Sequence, residues 1–167
     1  ECQQVLSAVS GNFSSPHFPN IYPNNINCHW SITLEAGYRI KLFFPVVDLE
    51  GRNSLSDECD YDSVSVYDGD SQADALIGRW CGRERPPSLI SKGNKLLVVL
   101  STDRNEAHRG FTATYLGGKC VCACLLSGAN ENINSVYPVG TAGLRYVLHT
   151  VYSTCSFNPK LNLLLKS

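Results

Sequence analysis

The residues best suited to chemistry in this chain are carboxylates. Nine of its fifteen acidic residues fall between Asp48 and Asp74, where Arg52 is the single basic residue. Repulsion along such a run is ordinarily relieved by water on an exposed face. Here the spacing points further. Glu50 follows one alternating segment, Asp62 opens the next, and Asp103 follows the apolar run that ends at Leu100, so loops of a folded sheet could bring the three together. Convergent oxygens without nitrogen or sulfur suit calcium, a hard cation that takes about six to eight oxygen ligands.

Other chemistries find little support. His17, His29, His108 and His149 stand in no Gly-x-Ser-x-Gly or His-Glu-x-x-His arrangement, and no Gly-x-x-x-x-Gly-Lys loop is present. Paired carboxylates for glycoside cleavage would need a sugar cleft, which loop-tip acids do not supply. An enzyme is not expected. The formal net charge of −1 leaves no overall field to recruit nucleic acid. A basic strip through Arg79, Arg83, Arg85, Lys92 and Lys95, opposed only by Glu84, is a second candidate surface, for a glycosaminoglycan, another glycan or an acidic protein.

Eight cysteines in 167 residues point to an oxidising compartment, hence disulfides and secretion. No Cys-x-x-Cys pair supports thiol redox work, and the one-residue gaps among Cys120, Cys122 and Cys124 mismatch zinc-ligand spacing. The sequon Asn12-Phe13-Ser14 makes Asn12 a candidate glycosylation site. No apolar run reaches 18 residues, so direct membrane insertion is not expected.

The elements that must position these groups are strands. Cys28, Trp30, Ile32 and Leu34 alternate with polar residues, then Ala36-Gly37 punctuates and Tyr38, Ile40, Leu42 and Phe44 alternate again, which reads as a hairpin. Val64 and Val66 alternate before the turn Asp68-Gly69, Leu96 to Leu100 is a continuous apolar run, and Phe111, Ala113 and Tyr115 share a face up to a stop expected at Gly117-Gly118. Short strands without a helical period predict an all-β fold, an antiparallel β-sandwich over residues 2–116. Residues 117–167 lose the alternation and hold only one acid, Glu131. They are expected to form a poorly structured, cysteine-containing C-terminal extension, with Leu144 to Tyr152 as its one candidate strand.

Six ordered motifs carry a resemblance. They are the opening from Gly11 to Pro23 with Cys28-His29-Trp30, then Asp48-Leu49-Glu50, Cys59-Asp60-Tyr61-Asp62-Ser63-Val64, Tyr67-Asp68-Gly69, Gly78-Arg79-Trp80-Cys81-Gly82 and Arg109-Gly110-Phe111. This part of the chain resembles a CUB domain, a jelly-roll type sandwich. The resemblance implies pairing of Cys2 with Cys28 and of Cys59 with Cys81, where four cysteines alone permit three connectivities. It also implies a calcium site at Glu50, Asp62 and Asp103, with Tyr22 holding an acidic ligand in place. The segment Gly51 to Glu58 is longer than the family usually has, so Asp57 and Glu58 are further donor candidates in place of Glu50. The function implied is an extracellular, calcium-dependent protein-binding module whose carboxylates accept a basic side chain of a partner. The alternatives are a secreted carbohydrate- or heparin-binding protein similar to spermadhesins and a non-catalytic module of an extracellular protease.

Overall fold

In the computed structural model the backbone is described for residues 2–127 and 147–157, and side chains for 2–120 and 155–157. Among the described residues ten strands follow one another: β1 (Gln3–Leu6), β2 (Ser10–Ser14), β3 (Asn27–Thr33), β4 (Tyr38–Asp48), β5 (Ser63–Asp68), β6 (Ala75–Trp80), β7 (Leu89–Ile90), β8 (Lys95–Ser101), β9 (Gly110–Ser127) and β10 (Val147–Ser156). No helix occurs among the described residues. One sheet has the order β1-β3-β8-β5-β6, and the other has β10-β9-β4-β7 with β2 also paired to β9. Every resolved pairing register is antiparallel except that of β1 beside β3.

The alternation explains the core. Trp30, Ile32, Val64, Val66, Leu96, Val98 and Leu100 from the first sheet and Phe13, Ile40, Leu42, Phe44, Phe111, Ala113 and Tyr115 from the second are all buried in one cluster. Trp30 stacks on Phe13 at 5.4 Å between ring centroids and meets Phe111 edge-on at 5.3 Å. This aromatic knot lies between the layers that carry the loops of interest.

Two readings of the sequence are corrected. The segments expected to form a hairpin, β3 and β4, lie in different sheets: β3 pairs with β1 and β8, and β4 with β9 and β7. Alternation shows that each strand buries one face, and two strands of opposite layers bury their faces against each other as readily as two of one layer. The double glycine does not stop β9 either, since Ile40 pairs with Gly117 and Arg39 with Gly118 and the strand runs on to Ser127. A Cβ at Gly117 would lie 2.6 Å from Leu34, and one at Gly118 2.5 Å from Phe157. These glycines therefore permit close approach within a strand.

The chain divides into two compact units, Glu1–Lys119 with Ser156–Ser167 and Cys120–Cys155. The first contains the sandwich. The second contains β9 from Cys120 onward and most of β10, and a disulfide joins Cys120 to Cys155. Within the expected extension, then, residues 117–127 and 147–156 are strand. Residues 128–146 and 158–167 lie outside the described ones, as do the side chains of Cys122 and Cys124.

Gly110 shows how tightly the turn into β9 is made. Its φ is +91°, and a Cβ there would lie 1.8 Å from Ser15 Oγ, which accepts the Phe111 N–H at 3.0 Å. Gly110→Ala is expected to lower stability by about 2 kcal/mol, read as a lower urea midpoint at unchanged slope. A midpoint equal to that of the parent protein would show that the turn relaxes.

Candidate metal centre

Three strand ends bring the carboxylates together. β4 ends at Asp48, after which Leu49 is buried and its N–H donates to Gly82 O at 2.8 Å, while Gly82 N–H donates to Glu50 O at 2.7 Å. Gly82 adopts φ +60° directly after Cys81, so the Cys59–Cys81 disulfide and this reciprocal pair fix the approach of Glu50. Asp62 immediately precedes β5 and is 1% exposed. Asp103 lies two residues past β8, and its carbonyl accepts the N–H of Asn25 at 2.7 Å.

One carboxylate oxygen from each of Glu50, Asp62 and Asp103 lies within 4.8 Å of the others. Asp62 accepts the Tyr22 hydroxyl on Oδ2 at 2.6 Å and the Asp103 N–H on Oδ1 at 2.8 Å. The Tyr22 oxygen in turn accepts the Glu50 N–H at 3.3 Å. Asp103 Oδ1 and Oδ2 accept the Asn105 N–H at 2.7 Å and Asn105 Nδ2 at 2.8 Å. Glu50 differs: its Oε2 is buried and has no hydrogen-bond partner.

The electrostatics follow from this arrangement. Burial raises the Glu50 pKa, and the charges of Asp103, Asp62 and Glu106 raise it further, against a smaller opposing effect of His108. Burial, and then the hydrogen bond to Asp62, pushes the Tyr22 hydroxyl up, so it stays a proton donor. A buried carboxylate oxygen without a donor is costly, and three gathered acids repel one another. A hard divalent cation would answer both problems, and an all-oxygen donor set fits one.

Asp57 and Glu58 are exposed and absent from this cluster. Their loop folds on itself, with Arg52 donating to both oxygens of Glu84 at 2.6 and 3.0 Å and to Asp57 O at 2.6 Å, and Asn53 N–H donating to Glu58 O at 2.9 Å. The extra length of 51–58 is absorbed there. Sequence reading missed Asn105, although an Asx residue two positions after Asp103 is a turn signal. The structure joins Cys2 to Cys28 and Cys59 to Cys81. Asn12 is exposed on β2, and its side-chain oxygen accepts the Thr114 hydroxyl at 2.7 Å. Within the basic strip, Arg79 donates to Ser65 Oγ, Lys95 pairs with Asp70, and Arg83 pairs with Asp48.

The profile of the CUB domain matches residues 2–115. The chain belongs to the CUB-domain family. Mouse procollagen C-endopeptidase enhancer 2 is 43% identical over 114 residues, covering 68% of this chain and 26% of that protein. Human cubilin is 39% identical over 124 residues, covering 74% of this chain and 3% of that protein. The chain thus spans about a quarter or less of these relatives. Among solved structures, the MASP-1 CUB2 domain bound to Ca2+ aligns with a TM-score of 0.60 at 24% identity, over 68% of this chain and 96% of that one. That likeness concerns the fold. CUB domains are protein-interaction modules of extracellular proteins and are not catalytic. No helix among the described residues is long and apolar enough to cross a membrane.

Two outcomes test the geometry in chelator. Tyr22→Phe removes the donor to Asp62 and the acceptor for Glu50 N–H, and should lower stability by about 2 kcal/mol. The stability linked to protonated Glu50 is fully present below the ordinary glutamate range and is lost as pH rises through its raised native pKa. The contribution of Glu50 to the melting temperature in chelator should therefore fall as pH rises out of that range. Glu50→Gln should flatten the fall, and an unchanged slope in that variant would place its origin elsewhere.

Proposed function

We propose that this CUB domain is a calcium-dependent protein-binding module of an extracellular protein. The observation that carries the reading is the buried, unpartnered Oε2 of Glu50, whose carboxylate converges with those of Asp62 and Asp103. Glu50, Asp62 and Asp103 would hold the ion, with Tyr22 orienting Asp62 and Asn105 orienting Asp103. Bound there, calcium supplies positive charge that turns mutual repulsion into coordination. The carboxylates then have a fixed geometry and oxygens left to accept the ammonium or guanidinium donors of a partner. The MASP-1 CUB2 domain, which shares this fold, is bound to Ca2+ in its own structure.

The same proposal takes residues 2–116 as the binding domain and residues 117–167 as a cysteine-containing C-terminal extension that begins within β9. Three disulfides among the described residues favour an oxidising, extracellular setting, and the exposed Asn12 is proposed to carry an N-linked glycan there.

Calcium at a hundredfold its dissociation constant should stabilise the domain by about 2.7 kcal/mol, seen as a rise in melting temperature with a matching calorimetric isotherm. Asp62→Ala, Asp103→Ala and Glu50→Gln should each abolish that gain. Asp57→Ala and Glu58→Ala should keep it, because the loop holds them apart from the cluster. An unchanged melting temperature in millimolar calcium sinks the reading.

A further inference from the structure

The fold decides what stands around the sequon Asn12-Phe13-Ser14, the only Asn-x-Ser or Asn-x-Thr in the sequence. Phe13 is buried in the core, so alternation along β2 sends Asn12 to the outer face of the second sheet. Register then names its neighbours. Asn12 pairs with Thr114 on β9, and Thr114 pairs on its other side with Phe43 on β4. Leu42 and Phe44 are in the core, so Phe43 shares the outer face. The three residues form one row across three strands.

This face is apolar and open to water. Phe43, Val46 and Leu116 on it are half-buried, and Ile90 on β7 is 51% exposed. The outer face of the first sheet differs, because Tyr67, Leu97 and Val99 form a buried cluster there. Wet apolar surface around an aromatic ring is stabilised by a cover.

Asn12 is set to supply one. Its Oδ1 accepts the Thr114 hydroxyl at 2.7 Å, which aims the amide along the row and leaves Nδ2, the atom that bears a sugar, out of that bond. A planar trans amide puts the anomeric carbon opposite Cβ and on the side of Oδ1, hence toward Thr114. Two strand spacings separate the backbones of Asn12 and Phe43 by about 10 Å. Four bonds from Asn12 Cα to the anomeric carbon reach about 5 Å, and a pyranose ring adds about as much again. Thr114, with its short side chain, lies beneath that span.

We propose that the first sugar of a glycan on Asn12 packs over Thr114 onto the ring of Phe43 and covers this face of the second sheet. The inference rests on the occupancy of Asn12 proposed above. In the attachment Nδ2 gives a proton to the transferring enzyme and bonds to the anomeric carbon. The bond from that carbon to the pyrophosphate of a lipid-linked donor breaks, and the lipid pyrophosphate leaves. A pyranose with equatorial substituents presents C–H groups on its faces, which meet an aromatic ring through dispersion and the negative charge of the ring face.

The test is a double-mutant cycle on the whole chain secreted from glycosylating cells, with Asn12→Gln and Phe43→Ala as its two changes and the melting temperature as its readout. The mass of the peptide containing Asn12 reports occupancy, and an endoglycosidase that leaves one sugar on the asparagine gives a trimmed form. The glycosylated chain should melt about 3 °C above Asn12→Gln, the trimmed form should melt with it, and Phe43→Ala should erase the difference. Ile90→Ala, outside the row, should keep it. Where Phe43→Ala does not fold, Phe43→Leu replaces it, since it loses the ring but keeps apolar bulk, and most of the difference should again be lost. An occupied Asn12 whose gain persists without the Phe43 ring, or disappears on trimming to one sugar, overturns the packing while the glycan itself stands. Light scattering that shows the glycosylated chain dimeric, with Ile90→Arg restoring the monomer, also overturns it by giving the face to a second copy. An unoccupied Asn12 overturns the glycan and the packing together and leaves the calcium reading untouched.

Discussion

The site rests on the burial of one carboxylate. Asp62 is 1% exposed, and a charged group taken out of water must find donors in the fold. Its two donors come from remote parts of the chain, the hydroxyl of Tyr22, 40 residues before it, and the N–H of Asp103, 41 residues after. Satisfying one buried charge therefore ties three loops together. The connection continues outward, because Tyr22 also accepts from Glu50 N–H and Asp103 is gripped by Asn105. A position that would be a liability in an isolated sheet becomes the joint of the loop cluster.

That joint needs a rigid frame behind it. The frame is the aromatic knot of Phe13, Trp30, Phe44 and Phe111, which packs the two layers, together with the disulfides placed next to the loops. Cys28 sits on β3 and Cys81 immediately precedes the Gly82 turn that receives Leu49 and Glu50. Each bridge constrains a short separation, 26 and 22 residues, so each mainly removes freedom from the loops between its ends. The carboxylates are thus held by covalent and packing constraints that do not depend on their own charges. This is what allows three acids to converge at all.

The all-β class, the central strands and the three convergent acids were legible in the sequence, because each rests on local pattern: period-two alternation for the strands, strand-end position for the acids. What was not legible depends on partners remote in the chain. Layer assignment is one case, since the alternation of Tyr38, Ile40, Leu42 and Phe44 is the same whichever sheet β4 joins. The run of β9 beyond Gly117-Gly118 is another, because a double glycine reads as a stop until Leu34 and Phe157 are seen to need the space. The short strands β1 and β7 carry too few residues to show a period, and the Asx turn signal at Asn105 does not by itself show that both its nitrogens would donate to Asp103. The basic strip is a further case, since its spacing does not show that Arg83 and Lys95 meet acids remote in the chain, Asp48 and Asp70.

Charge is partitioned with some economy where β4 ends. Asp48 and Glu50 are two residues apart, yet they enter opposite environments. Asp48 is surrounded by Arg83, Arg109 and His108, whereas Glu50 faces Asp62, Asp103 and Glu106. Strand alternation alone would send residues two apart to the same side, but β4 ends at Asp48, and beyond it the chain is tied to the Gly82 turn through Leu49 N–H and Glu50 O, so Glu50 does not continue the strand. Had Asp48 joined the acids, a fourth carboxylate would have added repulsion that no nearby donor relieves. Its pairing with guanidiniums keeps it out of the cluster and draws their positive charge toward itself, away from where a cation would sit. Over the roughly 8 Å across which charges act at physiological salt, two neighbouring fields of opposite sign can persist only if each is locally compensated, and Asp48 provides that compensation on the basic side.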